Sequence, residues 1–100
     1  MANTFQVLFR GAAATSSTTL YTVPAATTAL VTSVIIVNTA GANATFDMSL
    51  NDVQIANDVV APANDSVILE IKQVMDATQT LKALASATTV NFHISGLEIS

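Results

Sequence analysis

One hundred residues, 51% of them hydrophobic and only 10% charged, fit one domain with a thin core rather than two domains or a disordered chain. A net charge of −4 with three cations, Arg10, Lys72 and Lys82, leaves no basic patch for a phosphate backbone or an anionic membrane surface. The lack of cysteine removes disulfides, thiolate metal sites and cysteine nucleophiles, so stability has to come from packing or association.

The opening residues, Met1 to Phe5, have no basic start leading into an apolar run, so no export signal is expected. Phe5 to Arg10 is the first predicted strand, with Phe5 and Phe9 on one face. Residues 1–14 are expected to serve as an edge strand or an arm touching a neighbouring subunit, with Ala2 to Arg10 as the contact segment. Such an edge lacks the Lys or Pro guards that discourage pairing, apart from Arg10 at its end. Gly11 to Ser17 reads as a loop. Thr18 to Val23 alternates, with Leu20 and Thr22 opposite Tyr21 and Val23, and Pro24 to Thr27 is a turn.

Thr28 to Asn38 is the strongest strand signal. Being apolar at both parities, it reads as a central strand covered on both sides. Its densest stretch, Ala29 to Val37, is too short to span a bilayer. After a turn at Asn38 to Asn43, Ala44 to Leu50 alternates with Phe46, Met48 and Leu50 inward. Asn51-Asp52 predicts a tight turn back into Val53 to Val60. Ala61 to Asp65 is the next turn, and Ser66 to Lys72 places Val67, Leu69 and Ile71 inward and Ile68 outward. Gln73 to Gln79 reads as a connection with room for one helical turn. Thr80 to Ala85 is a strand, with a short helix as the alternative, Ser86 to Thr89 a turn, and Val90 to Ser95 a strand with Val90, Phe92 and Ile94 inward. Gly96 to Ser100 continues it, with Gly96 suggesting a bulge. About eight short strands separated by turn residues predict an all-β fold, an antiparallel β-sandwich or jelly-roll-like arrangement, as a single domain over 1–100.

No constellation for chemistry emerges. His93 is the only histidine and has no nucleophile and base at recognisable positions, so no catalytic residue is assigned and no enzyme activity is expected. The carboxylates do not follow a calcium-loop spacing; Asn51-Asp52 and Asn64-Asp65 are better explained as turn formers. No metal and no cofactor is expected. The patterns Asn43-Ala44-Thr45 and Asn64-Asp65-Ser66 match a glycosylation acceptor, common by chance in so Asn- and Thr-rich a chain. Glycan stacking would call on exposed aromatics, and Tyr21 is the one candidate. Phe46 and Phe92 read as core.

Three stretches together carry a resemblance: Thr18 to Ala25 (TTLYTVPA) leading into the long strand to Thr39; Ala61 to Ser66 (APANDS); and Phe92 to Ser100 (FHISGLEIS). They resemble small β-sandwich virion proteins of tailed bacteriophages, cyanophages included, over about Thr15 to Ser100. The first stretch is similar to segments in several phage structural proteins, modules of tail proteins among them, so the resemblance implies a virion component more firmly than a place on the virion. It implies an oligomer, and no catalytic residues to transfer. The expectation is a capsid decoration, or cement, protein on the outer capsid surface, made in the host cytoplasm. It would bridge subunits of the major capsid protein or other virion proteins, as a homo-oligomer, a trimer for preference. The alternatives are a tail, neck or fibre component and, in a different class, a carbohydrate-binding module. Phe5, Val7, Phe9, Arg10 and Tyr21 are the candidate interface residues. Few charges and many small β-branched residues lower the cost of burying surface between subunits.

Overall fold

The computed structural model describes residues 3–100. Within them the period-two alternation becomes eight strands: β1 (Asn3–Ala12), β2 (Thr18–Thr22), β3 (Thr28–Asn38), β4 (Ala44–Leu50), β5 (Val53–Ala61), β6 (Asp65–Met75), β7 (Thr80–Ala85) and β8 (Val90–Ile99). Met1 and Ala2, the start of the predicted arm, lie outside the described residues.

The strands form two four-stranded sheets, ordered β1-β8-β3-β6 and β2-β7-β4-β5. All pairings are antiparallel. First pairs with last, second with seventh, third with sixth and fourth with fifth. The chain is thus one long hairpin rolled onto itself, which is the jelly-roll form of a β-sandwich. Its tip is Asn51-Asp52, both at positive φ (50° and 63°), as a two-residue turn of mirror-image type requires.

The inward faces make the core. Phe46 on β4 and Phe92 on β8 meet edge to face between the sheets, with centroids 6.2 Å apart and an interplanar angle of 75°. Such pairs add about 0.5–1.5 kcal/mol beyond the area they bury. Ile36, Met48, Met75, Leu81 and Ile94 are fully buried around them.

Asn38 is the one polar side chain held at zero exposure among the described residues. Its amide nitrogen donates to the carbonyls of Ala42 (2.9 Å) and Ala61 (3.0 Å). Its carbonyl oxygen accepts from the Ala40 N–H (3.1 Å) and the Thr89 hydroxyl (3.3 Å). With every hydrogen-bonding site used, Asn38 ties the end of β3 to β5 of the opposite sheet and to the turn before β8.

Several expectations are corrected. The predicted loop from Gly11 starts at Ala13, because Gly11 and Ala12 still pair with Phe92 and Asn91. The predicted connection from Gln73 starts at Asp76: Gln73, Val74 and Met75 continue β6 against Val31, Leu30 and Ala29, and the segment has no helical turn. Strand β3 lies inside its sheet, flanked by β8 and β6, but has only one covered face. Leu30, Ile35 and Val37 on its other face are half-buried with no third layer over them.

Gly96 does not form the bulge. The extra residues stand opposite it, at Leu8 of β1 and Thr32 of β3, where the register steps from Val7 to Phe9 and from Val31 to Ser33. A side chain on Gly96 would meet the Leu30 carbonyl oxygen at 2.3 Å and a Leu8 methyl at 2.9 Å. Glycine is therefore needed for close approach of two neighbouring strands, which is the other meaning of a glycine inside a strand.

Candidate assembly surface

The bulges decide which side chains face outward. An extra residue reverses the parity of everything beyond it. On β1, Phe5 and Val7 point out, Leu8 points in and is buried, and Phe9 is half-buried against the core. Phe5 and Phe9 therefore do not share a face, as strict alternation predicts; the bulge at Leu8 separates them. Arg10, one residue further, is returned to solvent beside His93 of β8.

Cross-strand register aligns these residues into rows on the outer face of the β1-β8-β3-β6 sheet. One row runs across all four strands: Phe5, Leu97, Leu30, Val74. Phe5 is 89% exposed and Val74 64%, while Leu97 and Leu30 between them are half-buried. The next row is polar, with Ser95 and Ser33 between Val7 and Glu70. The third is Arg10, His93, Ile35, Ile68, with Ile68 63% exposed. Exposed apolar side chains gathered into rows on one face, with a polar row between them, make this face a candidate contact surface.

The other sheet is mixed. Its outward positions include Thr45, Asp47, Ser49, Thr80 and Lys82, and its edge strand β5 exposes Val53, Ile55 and Val60. Lys82 pairs with Asp52 at 2.8 Å on the surface, where an ion pair contributes little. The Asp47 carboxylate accepts from the Asp58 N–H at 2.6 Å and holds the bulge in β5. A shallow hollow of about 200 Å³, edged by Ser17, Asp47, Ser49, Gln54 and Lys82, lies on this side. It is smaller than pockets that enclose a drug-sized ligand.

Tyr21 is not on the apolar face. A bulge in β2 turns both Leu20 and Tyr21 against the core, and the Tyr21 hydroxyl donates to Glu98 of β8. Gln6 of β1 donates to the other oxygen of that carboxylate at 2.7 Å. The trio links both sheets at one end of the sandwich. Burial, then the hydrogen bond to Glu98, then the charge of that carboxylate push the Tyr21 phenol well above the ordinary tyrosine range. A phenol held in this way is poorly placed to stack on a sugar.

Of the five predicted interface residues, the structure groups Phe5, Val7 and Arg10 on one open face and turns Phe9 and Tyr21 toward the core. Sequence reasoning missed Leu30, Leu97 and Val74, which complete the row. Their signal was the surplus of apolar residues in β3, β6 and β8 beyond what one core face can take. Among the described residues no group of three His, Asp or Glu side chains is gathered as a metal site.

No family model matches the chain, and no curated protein does. Two crystal structures of a pentameric capsid protein isolated from metagenomic phage sequences are similar to it. One has 17% identity over 90% of this chain and 59% of that chain, with a TM-score of 0.39. The other, phased with iodide, has 16% identity over 88% of this chain and 59% of that chain, with a TM-score of 0.43. This chain spans about three-fifths of the length of each.

Proposed function

We propose that this chain is a structural subunit of a bacteriophage virion, a capsid decoration protein that binds across joints of the head shell and performs no catalysis. The observation that carries this reading is the open face built on β1, β8, β3 and β6, where Phe5, Val7, Ile68 and Val74 stand exposed on a charge-poor sandwich. Such a subunit works by removing apolar area from water at a joint, at roughly 25 cal/mol per Å², so that a shell under outward pressure must expose that area before it parts. The jelly roll supports this as an architecture used by capsid domains, though lectins use it too and fold alone does not assign a role. The resemblance of Thr18 to Ala25 and Phe92 to Ser100 to phage virion proteins supports the first of those two uses. The negative net charge suits an outer position, away from packaged DNA.

The test is the copy number of this chain relative to the major capsid protein in purified particles of the encoding phage, by quantitative mass spectrometry. Near-stoichiometric copies support decoration. A handful of copies moves the chain to the tail, neck or fibres, and absence from the particle overturns the virion reading.

A further inference from the structure

We infer that the outer face of the β1-β8-β3-β6 sheet binds a second copy of this chain, sheet against sheet, about a two-fold axis running parallel to the strands. The inference rests on the reading of the chain as an assembly subunit and names its first partner. Three observations carry it.

The first is area. Strands about 4.8 Å apart and about 3.3 Å per residue make a four-stranded face of ten-residue strands roughly 19 by 33 Å, or about 630 Å². Two such faces bury about 1,250 Å² together, which reaches the lower bound of about 1,200 Å² for specific interfaces.

The second is the match of rows. An axis parallel to the strands lays β1 of one copy over β6 of the other, and β8 over β3. Phe5 then meets Val74, and Leu97 meets Leu30, so the apolar row covers itself. An axis across the strands, through the middle of the face, would set the row of Phe5 on the row of Arg10 and cover apolar surface with a charge. An isologous contact needs self-complementarity of the first kind.

The third is charge. Arg10 stands at the β1 margin and Glu70 at the β6 margin, both exposed. The same operation places Arg10 over Ile68 of the second copy, one outward position from Glu70, within reach of a guanidinium. The contact repeats twice by symmetry, at the two rims of an apolar centre, as interfaces are usually organised. Lys72 stands one outward position beyond Glu70, on the side away from Arg10.

The experiment is sedimentation velocity on the purified full chain over a micromolar concentration range. The variants are Phe5→Asp, Arg10→Glu, Glu70→Arg and the Arg10→Glu/Glu70→Arg double. All these positions are exposed, and thermal unfolding followed by circular dichroism checks that each variant folds. The expected result is a dimer that Phe5→Asp weakens about tenfold or more, that each single charge reversal weakens, and that the double reversal restores. A monomer at every concentration, a trimer or pentamer, a dimer indifferent to Phe5→Asp, or a double variant no better than the singles overturns the inference. Because the copy number in particles is measured independently, an abundant virion protein that is monomeric in solution would overturn the two-fold contact and leave the decoration reading standing.

Discussion

Replacing Asn38 by Ala removes four hydrogen bonds at a site without solvent. Two of the partners, the Thr89 hydroxyl and the Ala42 carbonyl, lie at the partly exposed end of the sandwich, where water can replace the lost bond at a cost of about 0.5–1 kcal/mol each. The Ala61 carbonyl is deeper, and losing its partner there costs about 1–3 kcal/mol, with the Ala40 N–H adding a further fraction. The sum is about 3–4 kcal/mol, a large share of the 5–15 kcal/mol that holds a typical domain. At about 1–1.5 kcal/mol per M for a chain of this size, the urea midpoint should fall by about 2–4 M. The assay is urea unfolding followed by circular dichroism at fixed protein concentration, so that association does not change between variants. Asn38→Asp supplies a second reading. Its carboxylate would aim an oxygen at the Ala42 and Ala61 carbonyls, which disfavours the charged form and raises its pKa in the folded state. The native state then binds more protons than the unfolded state, and stability falls as pH rises above about 4. The deficit against the natural protein should therefore be smaller at pH 3 than at pH 7. A loss below about 1 kcal/mol for Asn38→Ala, or an opposite pH trend for Asn38→Asp, would refute the account of Asn38 as the tie between the sheets.

Three further outcomes are expected. Gly96→Ala drives a methyl into the Leu30 carbonyl and the Leu8 side chain, and should cost about 3 kcal/mol or more, at the upper end of overpacking effects, read as a fall in Tm or loss of soluble protein; an unchanged Tm would mean the two bulges can shift freely. Thr78 holds φ of 70°, unfavourable for a β-branched residue, so Thr78→Gly should stabilise the fold by about 1 kcal/mol in the same urea assay. Because Tyr21 keeps its proton in the folded state at a pH where the unfolded chain has lost it, its contribution is complete below about pH 10 and declines above it. The natural protein should lose stability more steeply above that pH than Tyr21→Phe, and parallel curves would count against the buried phenol.

The strands were legible because alternation is local. Phe46, Met48 and Val90, Phe92, Ile94 announce a core face without reference to the rest of the chain. The tight turn at Asn51-Asp52 was legible for the same reason, since those side chains tolerate positive φ. Pairing of first strand with last was not, because it depends on how the long hairpin rolls, and no residue of β1 names β8. Nor were the bulges at Leu8 and Thr32, which arise from a contact between strands: the bare Gly96 lets the Leu30 carbonyl come close. The candidate surface was therefore half legible, with Phe5, Val7 and Arg10 foreseen and the three strands that complete it missed.

The bulge in β1 also bears on why the surface exists. An unbulged β1 would set Phe5, Val7 and Phe9 on one side and Gln6, Leu8 and Arg10 on the other, a regular amphipathic strand. The structure instead sets Gln6, itself exposed, against Glu98 and buries Leu8, leaving Phe5 and Val7 exposed at 89% and 52%. Burying a large apolar side chain is worth about 1.5–3 kcal/mol, so with Phe5 and Val7 in water an isolated monomer forgoes that stability. That loss is recovered once another surface covers the face. The register of β1, more than the count of exposed residues, favours a chain built to be one part of an assembly.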